Sequence, residues 1–375
     1  MRILHIANDY SGSKVHSQLI KILDSKNIDQ VVYSPVRNED SIGKNFFNGI
    51  NTRIIYSFVI KPYYKYVYHI KRKALFKDIL SHVDINSIDI CHAATLFSDG
   101  GLAYDLYRRY NVPSVVAVRN TDVNIFMNFM PHTWLSAVKI LLSAKKIFFI
   151  SAALKEKFNN HFIIKPILKR IQDKCELMPN GIDDYFLDNI CHEKCCERKI
   201  IYVGDFSNNK NVARLCSAVI RLRRDKGFEN TTLTIVGGGN NETNEVEKII
   251  SRNPEIFKFL GKVYDKEKLC KIFRSNSMFA MPSIYETFGL VYVEALSQNL
   301  PVLYTRGQGI DGLFSDKVGI GVDPLSEDEI YNALKCILQN RSDYSNNDID
   351  FENFRWKYIA EKYIGFYRSV LSLEI

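Results

Sequence analysis

The chain has 375 residues, of which 46% are hydrophobic and 25% are charged. This length suits two domains that can each bury a core, and the composition excludes fibrous, collagen-like and broadly disordered proteins. The formal net charge of +8 lies in the first half, because residues 1–185 carry 25 lysines and arginines against 16 aspartates and glutamates. A basic half is typical of proteins that bind nucleic acid, an anionic membrane face or a phosphorylated substrate. No RNA- or DNA-binding motif is present, so we expect no nucleic-acid partner.

Targeting signals and metal sites are not expected. The first apolar run ends at Asn8 and Asp9, which is too short for a secretory signal, and no stretch approaches the ~18 apolar residues of a spanning helix. We therefore expect a cytoplasmic protein with free thiols rather than disulfides. Residues 191–196 group three cysteines with one histidine, but no second pair of ligands follows at a suitable distance. We expect a polar linker there and no metal.

The first half begins with a β-α-β pattern. Residues 3–7 predict a buried strand that ends in a polar loop with Gly12, residues 15–23 have helical spacing, and residues 31–33 predict the next strand. Such an opening indicates a parallel sheet. Further elements are predicted as strands at 88–92, 113–118 and 146–151 and as a helix at 102–110.

Residues 53–77 differ from the rest because they interleave tyrosine, phenylalanine and isoleucine with lysine and arginine. Two interpretations are open. The segment could lie in a membrane interface, where its basic residues would face anionic lipid. It could equally be a surface helix that packs its aromatic side chains on the sheet.

The second half repeats the alternation of strands and helices. Residues 179–183 form a turn, and the polar stretch that follows to residue 199 is the best domain boundary. Strands are then predicted at 200–203, 233–236, 259–263, 278–281 and 301–305, with a helix at 289–297. The sequence therefore predicts an α/β protein with two doubly wound parallel sheets.

The residues with the clearest chemistry follow the predicted strand at 278–281. Glu286 lies in a loop, Gly289 opens a helix, and Glu294 lies one turn into that helix. A helix N-terminus offers free N–H groups and the positive end of the helix dipole, which suits a diphosphate. Glu294 could accept hydrogen bonds from ribose hydroxyls, and Glu286 could reach a sugar or its phosphate. Solvated glutamates on a surface helix are the plainer interpretation of either residue alone.

These residues resemble the Glu-x7-Glu motif of glycosyltransferase family 4, a large family of retaining enzymes with the GT-B fold. The motif P-S-x-x-E-x-F-G-x-x-x-x-E-A is matched from Pro282 to Ala295. Other landmarks resemble the family in the same order, namely residues 179–183, 202–210, 233–239, 259–263 and 354–363. The resemblance is firm over residues 179–375 and loose before them.

The resemblance implies a domain plan. Residues 1–183 are expected to form a Rossmann-like acceptor domain, and residues 184–199 a linker. Residues 200–350 are expected to form a Rossmann-like donor domain that faces the first across a cleft. Residues 351–375 are then expected to form a helix that returns to the first domain.

The resemblance also implies site residues. Lys210 matches a basic residue that contacts the donor diphosphate, but Asp205 stands where the family usually has an arginine. The expected donor-binding residues are Gly12, Gly204, Lys210, Glu286, Phe288, Gly289, Leu290, Val291 and Glu294.

The expected catalytic residues are Glu286, Asp122 and Arg119. Many relatives have a histidine where Arg119 and Asn120 stand, so no histidine role carries over to this position. Asp122 could bind the acceptor or the sugar, and it could equally be a helix N-cap. His92 is a weaker candidate, because a satisfied core histidine explains it as well. The glycine-rich residues 307–312 are expected near the donor.

The function implied by the resemblance is transfer of a sugar, with retention, from a nucleoside diphosphate sugar to a carbohydrate acceptor. We expect a UDP-linked donor as co-substrate and no cofactor or metal, since no Asp-x-Asp triplet of the metal-dependent kind appears. The basic first half favours a polyprenyl-diphosphate-linked acceptor in assembly of bacterial surface polysaccharide (O-antigen, lipopolysaccharide or capsule), at the inner face of the plasma membrane. An inactive glycosyltransferase-like partner subunit and another GT-B enzyme, such as a sugar-nucleotide epimerase, remain alternatives.

Overall fold

A computed structural model describes residues 1–65, 67–193, 195, 197–314 and 316–372 of the chain. They form two compact units. Unit 1 comprises Met1–Ile150, Leu154–Gly181 and Trp356–Ile375, and unit 2 comprises Ser151–Ala153 and Ile182–Arg355. Residues 184–199, expected as a linker, belong to unit 2 and begin with a short helix.

Unit 1 contains a seven-stranded sheet in the order β3-β2-β1-β4-β5-β6-β7, with every neighbouring pair parallel. Strand β5, Ser114–Val118, is buried at all five positions, as expected for a valine-rich strand covered on both faces. The elements in chain order up to β7 are β1 Arg2–Ile6, α1 Lys14–Ser25, β2 Asp29–Pro35, β3 Thr52–Ser57, α2 Tyr68–His82, β4 Ile90–Ala93, α3 Ser98–Tyr110, β5, α4 Trp134–Ser143, β6 Lys146–Phe149, α5 Ala152–Asn160, α6 Leu168–Ile171 and β7 Cys175–Leu177.

Unit 2 contains a six-stranded sheet in the order β10-β9-β8-β11-β12-β13, again parallel throughout. Its elements are α7 Asp184–Asp188, β8 Lys199–Gly204, α8 Val212–Leu222, β9 Thr232–Gly237, α9 Thr243–Arg252, β10 Phe257–Phe259, α10 Lys266–Arg274, β11 Met278–Ala280, α11 Leu290–Ser297, β12 Val302–Thr305, β13 Gly319–Val322 and α12 Glu327–Gln339. The prediction of two parallel, doubly wound sheets is confirmed. The strand predicted at 259–263 is wrong in position, because Gly261 adopts φ +64° and the chain turns there.

The last helix, α13 at Trp356–Ser372, belongs to unit 1. Its buried face joins a hydrophobic cluster with β1, β4, β5 and α1. Tyr363 packs edge-on against Phe148 at 5.0 Å between ring centroids, and the Tyr367 hydroxyl lies 2.7 Å from His92 Nδ1. His92 is thus a buried histidine whose ring is held by the last helix.

Among its described residues, the aromatic and basic segment at 53–77 has three structured parts: β3, a 3-10 helix at Pro62–Lys65, and the start of α2. Arg72 makes two 2.6 Å hydrogen bonds to the Asp105 carboxylate on α3, and Lys71 is 9% exposed. These two cations therefore do not face a membrane, and the packed-helix interpretation describes them better. Among the residues that the structure describes, no helix combines the length and apolar character needed to cross a bilayer.

Candidate donor site in unit 2

The candidate site lies at the carboxyl edge of the unit 2 sheet. Three loops meet there: residues 205–211 after β8, residues 281–289 after β11, and residues 306–312 after β12. Strand order reverses between β8 and β11, since β9 and β10 extend the sheet to one side and β12 and β13 to the other. In open parallel sheets, ligands bind outside the carboxyl ends of the strands at such a reversal.

An ion pair joins the first two loops. Lys210 Nζ lies 2.8 Å from Glu286 Oε2, with side chains 22% and 11% exposed. Asn209 holds the loops in register, since its side chain donates to the Tyr285 carbonyl at 2.8 Å and accepts from the Tyr285 N–H at 2.9 Å. The two residues predicted to contact the donor from separate loops are thus neighbours.

The third loop fixes the backbone of Glu286. The Glu286 N–H donates to Gln308 Oε1 at 2.7 Å, and the Gly309 N–H donates to the Glu286 carbonyl at 3.2 Å. Gly309 has φ +57°, and a Cβ there would lie 3.1 Å from both Glu286 Cγ and the Phe288 carbonyl oxygen. The glycine-rich turn therefore belongs to the site because only glycine permits this approach.

Gly289 shapes the start of α11. It has φ +76°, and a Cβ on it would lie 2.4 Å from the Tyr292 ring. The N–H groups of Leu290 and Val291 are in the first turn, where helix geometry provides no acceptor. Phe288 is buried, with its ring centroid 6.3 Å from that of Phe354. Anchoring of Phe288 and the missing Gly289 side chain leave the first-turn amides open to an anion.

Glu294 is a largely desolvated carboxylic acid one turn into α11. Burial, reinforced by the charge of Asp183 and opposed by Lys266, raises the pKa of Glu294 to about 7. Within the described parts of the chain, the structure gives its carboxylate no hydrogen bond, and Lys266 bonds Asp183 instead. Glu294 therefore keeps its acceptor capacity for a ligand.

Asp205, the residue that departs from the family pattern, holds its own loop. Its Oδ1 accepts from the Ser207 N–H at 2.9 Å. Burial alone would raise the pKa of Asp205, but hydrogen bonds from Ser207 and Asn240 and the charge of Lys210 lower it overall. The carboxylate thus caps the turn that leads to Lys210.

Gly204 serves backbone packing. Its carbonyl accepts from the Gly238 N–H at 3.2 Å, and a Cβ on Gly237 would lie 1.7 Å from that carbonyl oxygen. The ends of β8 and β9 can approach this closely only because Gly237, at φ +131°, has no side chain. Gly204 therefore positions the loop that carries Lys210.

Three predicted site residues lie in unit 1, on a different body from these loops. Gly12 is exposed after β1, and a Cβ there would lie 2.6 Å from Asp9 Oδ1. Asp122 is buried, and its carboxylate accepts the backbone N–H groups of Leu96, Phe97 and Arg119 at 2.8–3.2 Å. The helix-cap interpretation of Asp122 is not supported, because the helical turn at Asp122–Met127 has Thr121 as its N-cap and the Asp122 carboxylate binds N–H groups outside that turn.

Arg119 bonds a neighbouring loop, and its charge affects the pKa of Asp122. Arg119 donates through Nε to the Ala94 carbonyl at 3.0 Å. Burial raises the pKa of Asp122 to about 6, although the three N–H bonds and the charge of Arg119 oppose that rise. This cluster ties the loop after β5 to the loop after β4 inside unit 1.

The sequence predicts no metal site at residues 191–196, where three cysteines and one histidine are grouped. Cys191 and Cys195 are free thiols, and Lys194 and Cys196 lie outside the described residues. In the parts of the chain that the structure describes, no group of three or more His, Cys, Asp or Glu side chains has the geometry to hold a metal ion.

Comparison with known proteins identifies the region that carries these loops. Residues 193–350 match the family model for glycosyl transferases group 1. This region, which is less than half of the chain, is similar to group 1 glycosyl transferases. It spans β8 to α12 and includes Lys210, Glu286, Gly289 and Glu294.

One sequence relative aligns over more residues than the family model does. An uncharacterized glycosyltransferase of Methanocaldococcus jannaschii is 26% identical over 245 residues, which make up 60% of this chain and 60% of that protein. The alignment thus spans less than two thirds of the relative's length. The family model and this relative are both described as glycosyltransferases.

Solved structures resemble this chain in fold over almost its whole length. The apo form of the lipopolysaccharide outer core galactosyltransferase WaaB superposes with a TM-score of 0.70 at 16% identity, covering 98% of this chain and 99% of that one. HepE of Anabaena, in complex with UDP and glucose, gives a TM-score of 0.66 at 16% identity, covering 98% and 100%. These likenesses confirm the predicted GT-B fold class.

Proposed function

We propose that the protein transfers a sugar, with retention, from a nucleoside diphosphate sugar bound in unit 2 to a carbohydrate acceptor. The observation that carries the proposal is the Lys210–Glu286 pair beside the open first turn of α11. A diphosphate placed there would receive the α11 amides and the Lys210 ammonium, which stabilise the charge that develops on the departing nucleotide. Glu294 would accept hydrogen bonds from the ribose.

The donor class is supported by a structural neighbour and by the site itself. HepE was solved with UDP and glucose, which makes a uridine nucleotide the first donor to test. In the free protein, Glu286 neutralises Lys210. A bound diphosphate would compete for Lys210 and release Glu286 toward the sugar. No resident cofactor is part of this proposal.

A lysine at each end of β8 provides a matched test. Lys210 pairs with Glu286 at the carboxyl end, and Lys199 pairs with Glu197 at 2.6 Å at the amino end. Lys210→Ala should lower turnover about 100-fold because a transition-state charge loses its cation. Lys199→Ala should leave turnover unchanged. A panel of nucleotide sugars, followed for hydrolysis and transfer, identifies the donor for this comparison.

Two outcomes would overturn the proposal in different ways. If Lys210→Ala keeps full activity, the cation acts elsewhere and the site is misplaced. If no nucleotide sugar binds in titration calorimetry, the alternative of an inactive partner subunit is favoured. Product analysis separates transfer from epimerisation, the remaining enzymatic alternative. Asp205 gives little support to an inactive subunit, because its contacts are explained by the loop that it caps.

We further propose that the acceptor is lipid-linked, that it belongs to bacterial surface polysaccharide synthesis, and that unit 1 touches an anionic membrane from the cytoplasmic side. WaaB, a lipopolysaccharide galactosyltransferase, supports this setting by its fold. The membrane surface of unit 1 is better placed away from residues 53–77, since Lys71 is buried and Arg72 is paired with Asp105.

An exposed apolar group in unit 1 supports the contact instead. Four large apolar side chains are half to three quarters exposed, namely Ile125, Phe129, Leu135 and Phe162. Trp134 meets Phe162 edge-on at 4.9 Å, and His161 bonds Asn128, so these segments adjoin. The exposed basic residues on the same segments are Lys139, Lys157, Lys165, Lys169 and Arg170, and the only acidic residue from 123 to 170 is the exposed Glu156. We call this group the basic apolar surface.

Vesicle binding tests the basic apolar surface. The chain should bind phosphatidylglycerol vesicles more weakly as salt rises, and should ignore phosphatidylcholine vesicles. Replacing Lys157, Lys165 and Lys169 by Glu should weaken binding at least ~100-fold, since each basic residue near anionic lipid contributes about 1 kcal/mol. Lys73→Glu with Lys77→Glu, two exposed positions on α2, is the control and should change nothing. Absence of vesicle binding at low salt removes the membrane part of the proposal.

A further inference from the structure

Lys71 is a buried cation without an acidic ion-pair partner. It lies in the first turn of α2 and is 9% exposed, and its ammonium makes a single 3.3 Å hydrogen bond to Ser98 Oγ. Across the described residues, no carboxylate comes within ion-pair distance of it. The adjacent Arg72, by contrast, has both carboxylate oxygens of Asp105. Since an ammonium has three N–H donors, two remain for a ligand.

The surroundings of Lys71 include a second cation. Ser98 begins α3, a helix of 13 residues whose N-cap Phe97 supplies no side-chain acceptor. Arg37 is exposed after β2, and the pKa of Lys71 is lowered by burial and then by the charge of Arg37. In the absence of an anion, the positive charges of Lys71 and Arg37 repel each other, so each charge raises the free energy of the other.

Asp99 faces the same ammonium and acts in the opposite direction, since its charge raises the pKa of Lys71. Its own oxygens are engaged, because the Asn8 N–H and the Thr95 hydroxyl donate to them at 3.1 and 3.0 Å. Burial raises the pKa of Asp99 to about 7, so it offers Lys71 only part of a negative charge near neutral pH. Asp9 is the other nearby acid, and the charge of Arg37 lowers its pKa against the rise caused by burial.

The position of this group fits a binding site. Lys71, Arg37 and Ser98 follow β3, β2 and β4, so all three lie at the carboxyl edge of the unit 1 sheet. The strand order of that sheet reverses between β1 and β4. Ligands of open parallel sheets bind outside this edge near such a reversal.

We propose that Lys71, Arg37 and Ser98 form a site for a phosphate or diphosphate group, and that in the reaction this group belongs to the acceptor. The inference rests on the proposed function for its second part only. Lys71 donates to the anion from within the fold, and Arg37 closes over it from the surface. The Ser98 hydroxyl completes the donor set, while the first-turn N–H groups of Asp99 and Gly100 already donate to Thr95. A plain structural role, in which Lys71 only neutralises Asp99, is the competing explanation.

The first experiment measures anion binding to the full chain by titration calorimetry with inorganic pyrophosphate. The same titration of the Lys210→Ala variant, which lacks the cation of the unit 2 site, separates binding in unit 1 from binding in unit 2. We expect binding that Lys71→Met weakens at least ~10-fold, as for loss of a charged hydrogen bond. Arg37→Gln should weaken it less, and Lys73→Met, an exposed position on the same helix, should not change it. Lys210→Ala should also leave it unchanged.

The outcomes separate the two explanations. No pyrophosphate binding, or equal affinity in the wild type and Lys71→Met, overturns the site and leaves Lys71 as the neutralising partner of Asp99. If Lys71→Met does not fold, the exposed Arg37→Gln variant decides in the same way. Failure of the proposed function is a distinct result, since it would appear as absent nucleotide-sugar binding with pyrophosphate binding intact.

A second titration distinguishes an acceptor group from a free ion. A short alkyl diphosphate sugar is compared with the same alkyl sugar that lacks the diphosphate. Tighter binding of the diphosphate form than of pyrophosphate, lost in Lys71→Met, supports an acceptor subsite. Binding no tighter than that of pyrophosphate overturns the acceptor part and leaves a site for free anions.

Discussion

The carboxyl edges of the two sheets are built in different ways. In unit 2 the edge is mostly backbone, because Gly237, Gly289 and Gly309 adopt positive φ where a side chain would collide with a neighbour. In unit 1 the edge is made of buried polar side chains, such as Asp99 and Asp122, that bind backbone N–H groups of other loops. A backbone edge leaves space for a ligand, whereas a side-chain edge is largely satisfied by its own contacts. Lys71 is the exception, which is why we infer a ligand there.

The largest expected effect breaks the backbone edge of unit 2. Gly237→Ala places a Cβ 1.7 Å from the Gly204 carbonyl oxygen, so β8 and β9 must separate. We expect the free energy of unfolding to fall by more than ~4 kcal/mol, with loss of donor binding. Gly261→Ala is the control, since Gly261 also has positive φ but nothing lies within 4 Å of its Cβ position. It should cost only about 1–2 kcal/mol. Equal melting temperatures for the two variants would contradict the close-approach argument.

The next effect concerns Glu294, where function and stability oppose each other. Glu294→Gln should weaken nucleotide-sugar binding roughly 10- to 150-fold, because a charged acceptor is lost. The pKa of Glu294 is raised to about 7 from 4.5, so the native state keeps a proton that the unfolded chain releases in this range. The free energy of unfolding therefore falls as pH rises from 4.5 to 7.

Glutamine does not carry this penalty. Glu294→Gln should thus be more stable than the wild type by about 3 kcal/mol at pH 8 and equally stable at pH 4. Denaturant unfolding at the two pH values, together with calorimetry of donor binding, checks both halves. Unchanged affinity for every nucleotide sugar tested would remove Glu294 from the donor site.

The smallest effect concerns a buried base in unit 1, with the opposite sign. Burial lowers the pKa of His5 to about 3, although a hydrogen bond to Gln30 opposes it. Below pH 6.5 the imidazole of His5 binds a proton in the unfolded chain but stays neutral in the native protein. The contribution of neutral His5 to the free energy of unfolding is therefore lost as pH falls from 6.5 toward 3. His5→Leu should remove about 1.4 kcal/mol per pH unit from the slope between pH 6 and 5. Denaturant unfolding of both proteins checks this, and equal slopes would show that His5 charges freely in the fold.

The predictability of the two edges follows from their construction. The loops after β8 and β11 depend on glycines and on the start of a helix. These features must occur at a fixed spacing along the chain, so the residues around Glu286 and Gly289 could be found from the sequence. Asn209 and Gln308 could not, because they act by hydrogen bonds to Tyr285 and Glu286 from other loops. No local spacing records such pairs.

The unit 1 edge contains features that the sequence could not predict. Lys71 follows tyrosines and lysines in a segment that suggested a membrane surface, yet the fold buries it against α3. Burial of a charge depends on what another part of the chain places over it, and hydropathy along the segment does not contain that information. Apolar strands such as β5 were predictable because their own residues determine burial on both faces.

The return of α13 to unit 1 has a consequence for synthesis on the ribosome. The hydrophobic cluster under β1 and β4 needs residues of α13, but the 174 residues Ile182–Arg355 are translated in between. At about 5–20 residues per second, roughly 10–35 s pass during which that apolar face lacks its native cover. Unit 2 has no such wait, since its segment from Ile182 to Arg355 is continuous. Unit 2, which emerges second, can therefore fold first, and a nascent chain halted before Trp356 would offer chaperones an unfinished unit 1 together with a complete unit 2.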